Sequence, residues 1–268
     1  MERTPSDMSV FLDIVIPVYN EGPNILRTLG ALDARVKAPF RVLICYDFES
    51  DDTLTALRGS SSFAGKIRFI KNTGRGPHQA VMSGFKACHA PFVLVYPADD
   101  DYNAGIVDAM VEKAIQGNDI VCASRFIPGG NMVGCPWLKS LLIRIAAVSL
   151  YRVARIPTRD PSNGFRLFSS RLLKGVQIES HQGFSYSLEL LAKCHRLGWR
   201  VAEVPAQWRE RIVGKSRFRV LKWLPAYLRW YFYAFATTFF RRGRESVSLK
   251  SATPPGDCFS SNQERTQQ

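Results

Sequence analysis

Between residues 11 and 125 the chain alternates short apolar runs with stretches of helical spacing, and few folds accept that pattern. Residues 11–18, 41–46, 67–70, 92–96 and 119–123 are too short for helices and read as strands. Between the first two, residues 23–32 place Ile25, Leu29 and Leu32 on one helical face, with Pro23 suited to the first turn. Residues 50–58 open with Ser and Asp capping residues, and 77–90 and 107–116 have helical spacing. Strand following helix in this rhythm predicts an α/β fold: a Rossmann-like, mostly parallel sheet with helices on both faces. No Gly-x-Gly-x-x-Gly follows the first strand, which argues against a dinucleotide cofactor.

Polar residues fall just after the strands. Tyr19 and Glu21 follow the first, Asp47 the second, and Asp99-Asp100-Asp101 the fourth. In α/β sheets the carboxyl ends of strands are where ligands bind, so side chains from separate strands converge there on one crevice. Three consecutive carboxylates after Phe92-Val93-Leu94-Val95-Tyr96-Pro97 are costly to crowd unless something positive sits among them. A hard divalent cation with phosphate oxygens as its other ligands suits them; a plain acidic turn is the alternative.

The 268 residues suffice for one large domain or two small ones. Six scattered cysteines without a Cys-x-x-Cys pair suggest a reducing compartment, with neither a disulfide framework nor a zinc site. Glu2, Arg3 and Asp7 argue against an ordinary secretory signal at the start. The net charge of +13 is uneven: residues 193–250 hold 14 Lys and Arg against 3 Asp and Glu. An anionic partner is expected for that third, whether nucleic acid, a phospholipid surface or a phosphorylated substrate, with a solvated basic face as the alternative.

Beyond residue 125 the rhythm becomes irregular. Residues 138–153 read as a strongly apolar helix bearing Lys139, Arg144 and Arg152. Asp160-Pro161-Ser162-Asn163-Gly164 is turn chemistry, 186–197 an amphipathic helix, 200–204 a strand, and 211–219 a basic loop containing Gly214. An aromatic-rich helical segment covers about 220–240. The domain is expected to span residues 1–243, with 244–268, rich in Ser, Thr, Pro and Gln, as a disordered tail.

The order of motifs resembles glycosyltransferase family 2, and within it the polyprenyl-phosphate glycosyltransferases typified by dolichol-phosphate mannosyltransferase. The resemblance runs from about Ile14 to Thr238. It is carried by Ile16-Pro17-Val18-Tyr19-Asn20-Glu21, by residues 47–53 (similar to the family's DDGSxDGT) and by Pro97-Ala98-Asp99 (its DAD). Ser124-Arg125-Phe126 follows, then residues 160–166 ending in Gly-Phe-Arg, Gly183-Phe184-Ser185-Tyr186-Ser187-Leu188-Glu189, and Glu203-Val204-Pro205. Arg211-Ile212-Val213-Gly214-Lys215-Ser216-Arg217 is similar to the family's RxxGxSK.

This resemblance implies a GT-A type domain that binds a nucleotide-diphosphate sugar, with GDP-mannose favoured. Pro17, Tyr19, Glu21 and Asp47 match positions that hold the nucleoside, and Ala98 and Asp99 lie in the donor-binding DAD segment. Asp99 matches the carboxylate bound to metal and diphosphate, and Arg125, Arg211 and Arg217 match basic positions around the phosphates. Asp99, Asp101 and Arg211 are the expected catalytic residues, and Asp99 and Asp101 the ligands of Mg2+ or Mn2+. Two departures stand out: Pro97 replaces the first Asp of DAD, and Tyr46 the first Asp of DDGSxDGT.

The implied acceptor is a polyprenyl phosphate at a membrane surface, with the enzyme cytoplasmic and peripherally associated. A phosphate acceptor is already anionic, so no strong general base is needed, and His78, His89, His181 and His195 are isolated in sequence. Glu189 is the candidate base for a hydroxyl acceptor, or else it faces solvent. The longest charge-free stretch in 220–240 is too short to span a bilayer, which takes about 20 residues. A helix lying in the lipid interface and a core helix covering the sheet are the two readings of that segment. A transferase acting on a glycan or glycolipid hydroxyl and a catalytically weak nucleotide-sugar-binding relative are the alternative functions. No nucleic-acid partner is expected, because no recognisable module accompanies the charge.

Overall fold

The computed structural model describes residues 10–60, 62–63, 65–209 and 220–250. Its seven-stranded sheet has the order β3-β2-β1-β4-β7-β5-β8. The strands are β1 (Leu12–Pro17), β2 (Phe40–Tyr46), β3 (Ile67–Lys71), β4 (Phe92–Val95), β5 (Ile120–Ser124), β7 (Arg166–Ser169) and β8 (Val201–Pro205). Strands β6 (Asn131–Val133) and β9 (Gln207–Arg209) form a separate parallel pair. Pairing is parallel throughout the main sheet except at β7, which runs antiparallel to both β4 and β5. The α/β, mostly parallel expectation holds.

The inner strands are buried on both sides, as continuous Ile/Val/Leu runs require in a sheet covered on both faces. One face packs under α1 (Gly22–Arg35), α2 (Asp52–Arg58) and α4 (Val107–Ile115), with Ile14, Ile16, Ile25, Leu54 and Met110 in the core. The other packs under α3 (Pro77–Ala87), α6 (Ser170–Gly175), α7 (Ser185–Arg196) and α8 (Val220–Phe239), around Val15, Phe168, Leu190 and Trp230. Helix α3 lies close on the sheet because residue 84 is glycine. A Cβ there would sit 2.5 Å from Val15 Cγ1 and 2.9 Å from Cys45 Sγ.

One helix differs from its expected character, and a second is apolar as expected but largely uncovered. The segment 186–197 was expected to be amphipathic, yet α7 is buried nearly all round, because the sheet covers one side and α8 the other. Its Glu189 does not face solvent: it is fully buried and pairs with Lys193 at 2.8 Å. Helix α5 (Trp137–Val148), continued by a π-turn over Ser149–Val153, buries only Ala147 along its own length. Residues 244–250, placed in the tail by sequence, pack on the domain: Leu249 bridges to Val176, and Lys250 Nζ donates to Leu173 O at 2.6 Å. Residues 251–268 lie outside the described residues.

Candidate active site

The carboxyl ends of β1, β2 and β4 lie side by side, because these strands are adjacent and parallel. The strand order turns back between β1 and β4: the chain goes from β1 to β2 and β3 on one side, then returns to place β4 on the other. Such a switch point opens a crevice in which ligands of α/β folds sit.

The turn after β1 is shaped by the start of α2. Asp51 is fully buried and caps α2 by accepting from Thr53 N. The same carboxylate accepts from Asn20 N at 3.1 Å, Thr53 Oγ1 accepts from Glu21 N at 3.0 Å, and Asp52 Oδ1 accepts from Gly22 N at 2.9 Å. Asn20 takes a positive φ of 52°, a conformation that Asn tolerates better than most residues. The outcome is an exposed Tyr19 ring, edge-on to Phe48 at 5.3 Å, beside a mostly buried Glu21 that accepts from Asn24 Nδ2 at 2.9 Å. Pro17, half-buried, closes the strand.

After β2, half-buried Asp47 braces the loop before α3. It accepts from Asn72 Nδ2 at 2.7 Å and from Gly76 N at 2.8 Å. Tyr46, at the site of the family's first Asp, is buried, and its hydroxyl donates to Glu49 at 3.1 Å. Burial and that carboxylate together raise its pKa. The side chain thus fills core volume where the motif elsewhere has a charge.

After β4, the three aspartates part ways. Asp100 turns inward and accepts from Tyr102 N, Asn103 N and Asn103 Nδ2. Burial pushes its pKa up to about 6, against the lowering effect of those donors. Asp99 and Asp101, on either side of it, are half-exposed. Ala98 is buried, and its carbonyl accepts from Thr28 Oγ1 at 2.8 Å, which ties the turn to α1. Among the described residues no three His, Cys, Asp or Glu gather into a metal-holding group. The donor set at this turn is therefore at most two carboxylates, Asp99 and Asp101. That suits a hard ion such as Mg2+, which takes one or two carboxylates and completes its shell with phosphate oxygens and water.

Arg125, expected near the phosphates, sits just past the end of β5 in a two-pronged pair with Asp160. Its Nε donates to Oδ2 at 2.7 Å and its Nη2 to Oδ1 at 2.8 Å, with Ser162 Oγ a further acceptor at 2.7 Å. Burial opposes the Asp160 charge, but the Arg125 guanidinium outweighs it and keeps the pKa below the usual carboxylate range. Arg166 anchors the same turn from beneath through the carbonyls of Pro161 and Ser187. Arg211 and Arg217 lie outside the described residues.

Glu189 does not belong to this crevice as a free base. Besides Lys193 it accepts from Glu179 N at 2.7 Å and Ser180 N at 2.8 Å, while Lys193 also reaches Gln177 O and lies over the Trp230 ring. His78 and His181, far apart in sequence, meet with ring centroids 6.5 Å apart. Sequence reasoning expected the Asp cap at the start of α2, which Asp51 provides, but missed its reach to the turn after β1 and missed Asn72, Asp100 and Asn103 as residues that shape the turns. Their signal was local: Asp51, Asn72 and Asp100 each accept from the backbone N–H two residues on, at Thr53, Gly74 and Tyr102, which is the Asx-turn spacing.

The sequence profile of Glycosyl transferase family 2 matches residues 13–176. Among curated proteins, the dolichol-phosphate mannosyltransferase of Pyrococcus furiosus is 24% identical over 230 residues, covering 82% of this chain and 64% of that protein. The undecaprenyl-phosphate 4-deoxy-4-formamido-L-arabinose transferase of Edwardsiella ictaluri is 25% identical, covering 79% of this chain and again 64% of that protein. This chain thus spans less than two thirds of either relative. Among solved structures, the Mycobacterium tuberculosis glucosyl-3-phosphoglycerate synthase with Mn2+, UDP and phosphoglyceric acid superposes with a TM-score of 0.61 at 17% identity, covering 87% of this chain and 79% of that one. The same synthase has also been solved with Mg2+ and UDP.

Proposed function

Since this chain belongs to glycosyl transferase family 2, we propose that it transfers a hexose from a nucleotide-diphosphate sugar to a polyprenyl phosphate at a membrane surface. The observation that carries this reading is the β1/β4 switch point in the strand order, where an exposed aromatic ring, Glu21, Asp47 and two half-exposed aspartates stand at neighbouring strand ends. Tyr19 offers a base an aromatic surface, and Glu21 and Asp47 offer carboxylates to base and ribose. Asp99 and Asp101 would hold Mg2+ or Mn2+, which when bound supplies positive charge to the donor diphosphate. The name of the Pyrococcus relative favours mannose from GDP-mannose; the solved synthase complexes carry UDP, so UDP-sugars belong in the same test.

In the proposed reaction an acceptor phosphate oxygen forms a bond to the anomeric carbon while the bond from that carbon to the diphosphate oxygen breaks. The electron pair leaves with the nucleoside diphosphate. The acceptor oxygen is anionic at neutral pH, so no proton has to be removed. The burial of Glu189 against Lys193 agrees with this and leaves the hydroxyl-acceptor alternative without its candidate base. Arg211 and Arg217 are proposed to neutralise the phosphates. A charge-assisted contact of this kind is worth about 1.5–3 kcal/mol, so Arg211→Ala should lower kcat/KM by roughly one to two powers of ten.

Membrane association is proposed to use α5 more than α8. Helix α8 commits Trp230 and Ala234 to the core, although Phe232 and Phe239 remain exposed. Helix α5 instead presents Trp137, Leu138, Leu141, Leu142, Ile145 and Val148 to the surface, Trp137 at 77% exposure. Exposed Arg144, Arg152 and Arg155 lie on or just beyond it. An apolar helix face with basic neighbours suits an anionic lipid surface. No helix among the described residues is long and apolar enough to cross a membrane.

The test is a donor panel (GDP-mannose, UDP-glucose, UDP-GlcNAc) with polyprenyl phosphate and Mn2+, read by product mass, together with flotation on vesicles containing anionic lipid. A glycosylated polyprenyl phosphate is expected, and Leu141→Glu/Leu142→Glu should abolish flotation. Nucleotide binding without product from any donor would instead support a catalytically weak relative and overturn the transferase reading.

A further inference from the structure

Strand β9 has β6 on one edge, and on the other its Gln207 peptide is met by a side chain. Asn103 Nδ2 donates to Gln207 O at 2.8 Å, and Gln207 N donates to Asn103 Oδ1 at 2.9 Å. This is the donor–acceptor pair that a neighbouring strand would supply. The same Nδ2 donates to Asp100 Oδ2 at 2.6 Å, and Asn103 N donates to Asp100 Oδ1 at 2.9 Å. Both amide hydrogens and the amide oxygen are used, in a side chain that is almost wholly buried.

Few residues can replace it. Asp has the shape but no donor and would set a second carboxylate against Asp100; Ala and Leu offer neither donor nor acceptor. Two more ties join the same elements: Arg209 N donates to Tyr102 Oη at 3.3 Å, and the Arg209 guanidinium lies 5.2 Å from the centre of the Tyr102 ring. From the sheet side, Tyr96 Oη donates to Asp100 O at 2.9 Å.

We propose that Asn103 is a positioning residue: it fastens the acidic turn to β9, keeps Asp100 turned inward, and so sets the backbone from which Asp99 and Asp101 meet the donor diphosphate and its ion. The inference rests on the transferase reading for its consequence, though the fastening itself does not. Groups that orient metal ligands from behind typically change metal affinity or activity by about 10–100-fold when removed.

The test compares wild type with Asn103→Ala and with Asn103→Asp, the latter matching Asn in shape in case the first fails to fold. Hydrogen exchange of the Gln207 amide, measured without ligand, should quicken by at least about tenfold in the variants while the amides of the main sheet keep their protection. The concentration of MnCl2 that half-saturates the protein should rise about tenfold, and kcat should fall about 10–100-fold with the donor KM within threefold. A merely structural role would lower Tm without moving the MnCl2 half-saturation. Wild-type Gln207 exchange, or a wild-type MnCl2 half-saturation, in both variants overturns the proposal. If the wild-type protein transfers no sugar, the transferase reading fails separately, and Gln207 exchange with the MnCl2 titration still decides the role of Asn103.

Discussion

The acidic turn after β4 and the charged cluster on α7 are both built from carboxylates, and they are arranged in opposite ways. On α7, Glu189 and Lys193 are sealed: each is at most 1% exposed, and each is paired and hydrogen-bonded to backbone. At the turn, only Asp100 is sealed, while Asp99 and Asp101 keep access to the crevice. Removing charges from water is costly unless each is matched inside the protein, so the α7 cluster is committed to holding loop 177–184 and α8 in place. The turn spends one carboxylate, Asp100, on its own shape, while Asp99 and Asp101 on either side of it stay half-exposed. Charge that is sealed and paired supports the fold; the half-exposed charge beside it is what we propose serves the chemistry.

The largest effect that separates the two regions should come from Lys193→Ala. It leaves Glu189 buried without its cation, a loss of about 3–5 kcal/mol, and at roughly 2–4 °C per kcal/mol Tm should drop by about 6–20 °C. Calorimetry reads it directly. The double change Glu189→Leu/Lys193→Met should recover much of the loss, since it removes both charges together. A Tm unchanged in Lys193→Ala would mean that the α7 pair is not a structural unit.

Pro97→Asp addresses the turn and has a smaller effect. It restores a carboxylate where the family's motif has one, and the affinity for Mn2+ should rise about tenfold, or about 1.4 kcal/mol. Isothermal titration with MnCl2 measures it, and an unchanged curve would remove position 97 from the ion's surroundings.

Much of this contrast was hidden in the sequence, for physical reasons. Strands β1, β2, β4 and β5 were legible because a buried parallel strand must be a continuous apolar run. The placing of Tyr19, Glu21, Asp47 and Asp99 at strand ends followed from those strands. Strand β7 was not read, since a short Arg-Leu-Phe-Ser segment carries little signal and its antiparallel insertion between β4 and β5 depends on distant pairing. Glu189 and Lys193 are four residues apart on a helix, the spacing of an ordinary surface pair; only the packing of α8 through Trp230 shows that the pair is enclosed. Arg125 was read as a phosphate ligand from its motif, and the pair it makes with Asp160 joins residues 35 positions apart. Helix α5 was recognised as apolar, but whether an apolar helix is covered is a property of its neighbours.

The smallest predicted effect concerns pH. His78 packs against Tyr186 and His181, and burial, with His181 nearby, lowers its pKa, while Glu189 and the backbone of Ser180 and Gly183 act in the other direction. The folded state therefore binds its proton less readily than the unfolded chain. The stability from neutral His78 is present above the ordinary histidine value of about 6.5 and is lost as pH falls below it. His195 is shifted in the same direction by burial and by Arg196. Asp100, raised to about 6, acts the other way over the same range, so the reading is a difference: between pH 7.5 and 5.5 the acid-side loss of Tm should be smaller in His78→Phe than in wild type, since that ring needs no partner at the position of the unpaired Nδ1. An identical slope in that variant would exclude His78 as a source.

The central claim is that the half-exposed carboxylates of the β4 turn serve catalysis while the sealed ones serve the fold. Steady-state transfer by Asp99→Ala across an Mn2+ titration, with Tm recorded on the same sample, tests it most directly. Transfer should fall by at least about 10²–10³-fold, the response to Mn2+ should largely disappear, and Tm should stay at the wild-type value. Wild-type transfer with an unchanged Mn2+ response, or a loss of activity matched by a loss of fold, would contradict the account.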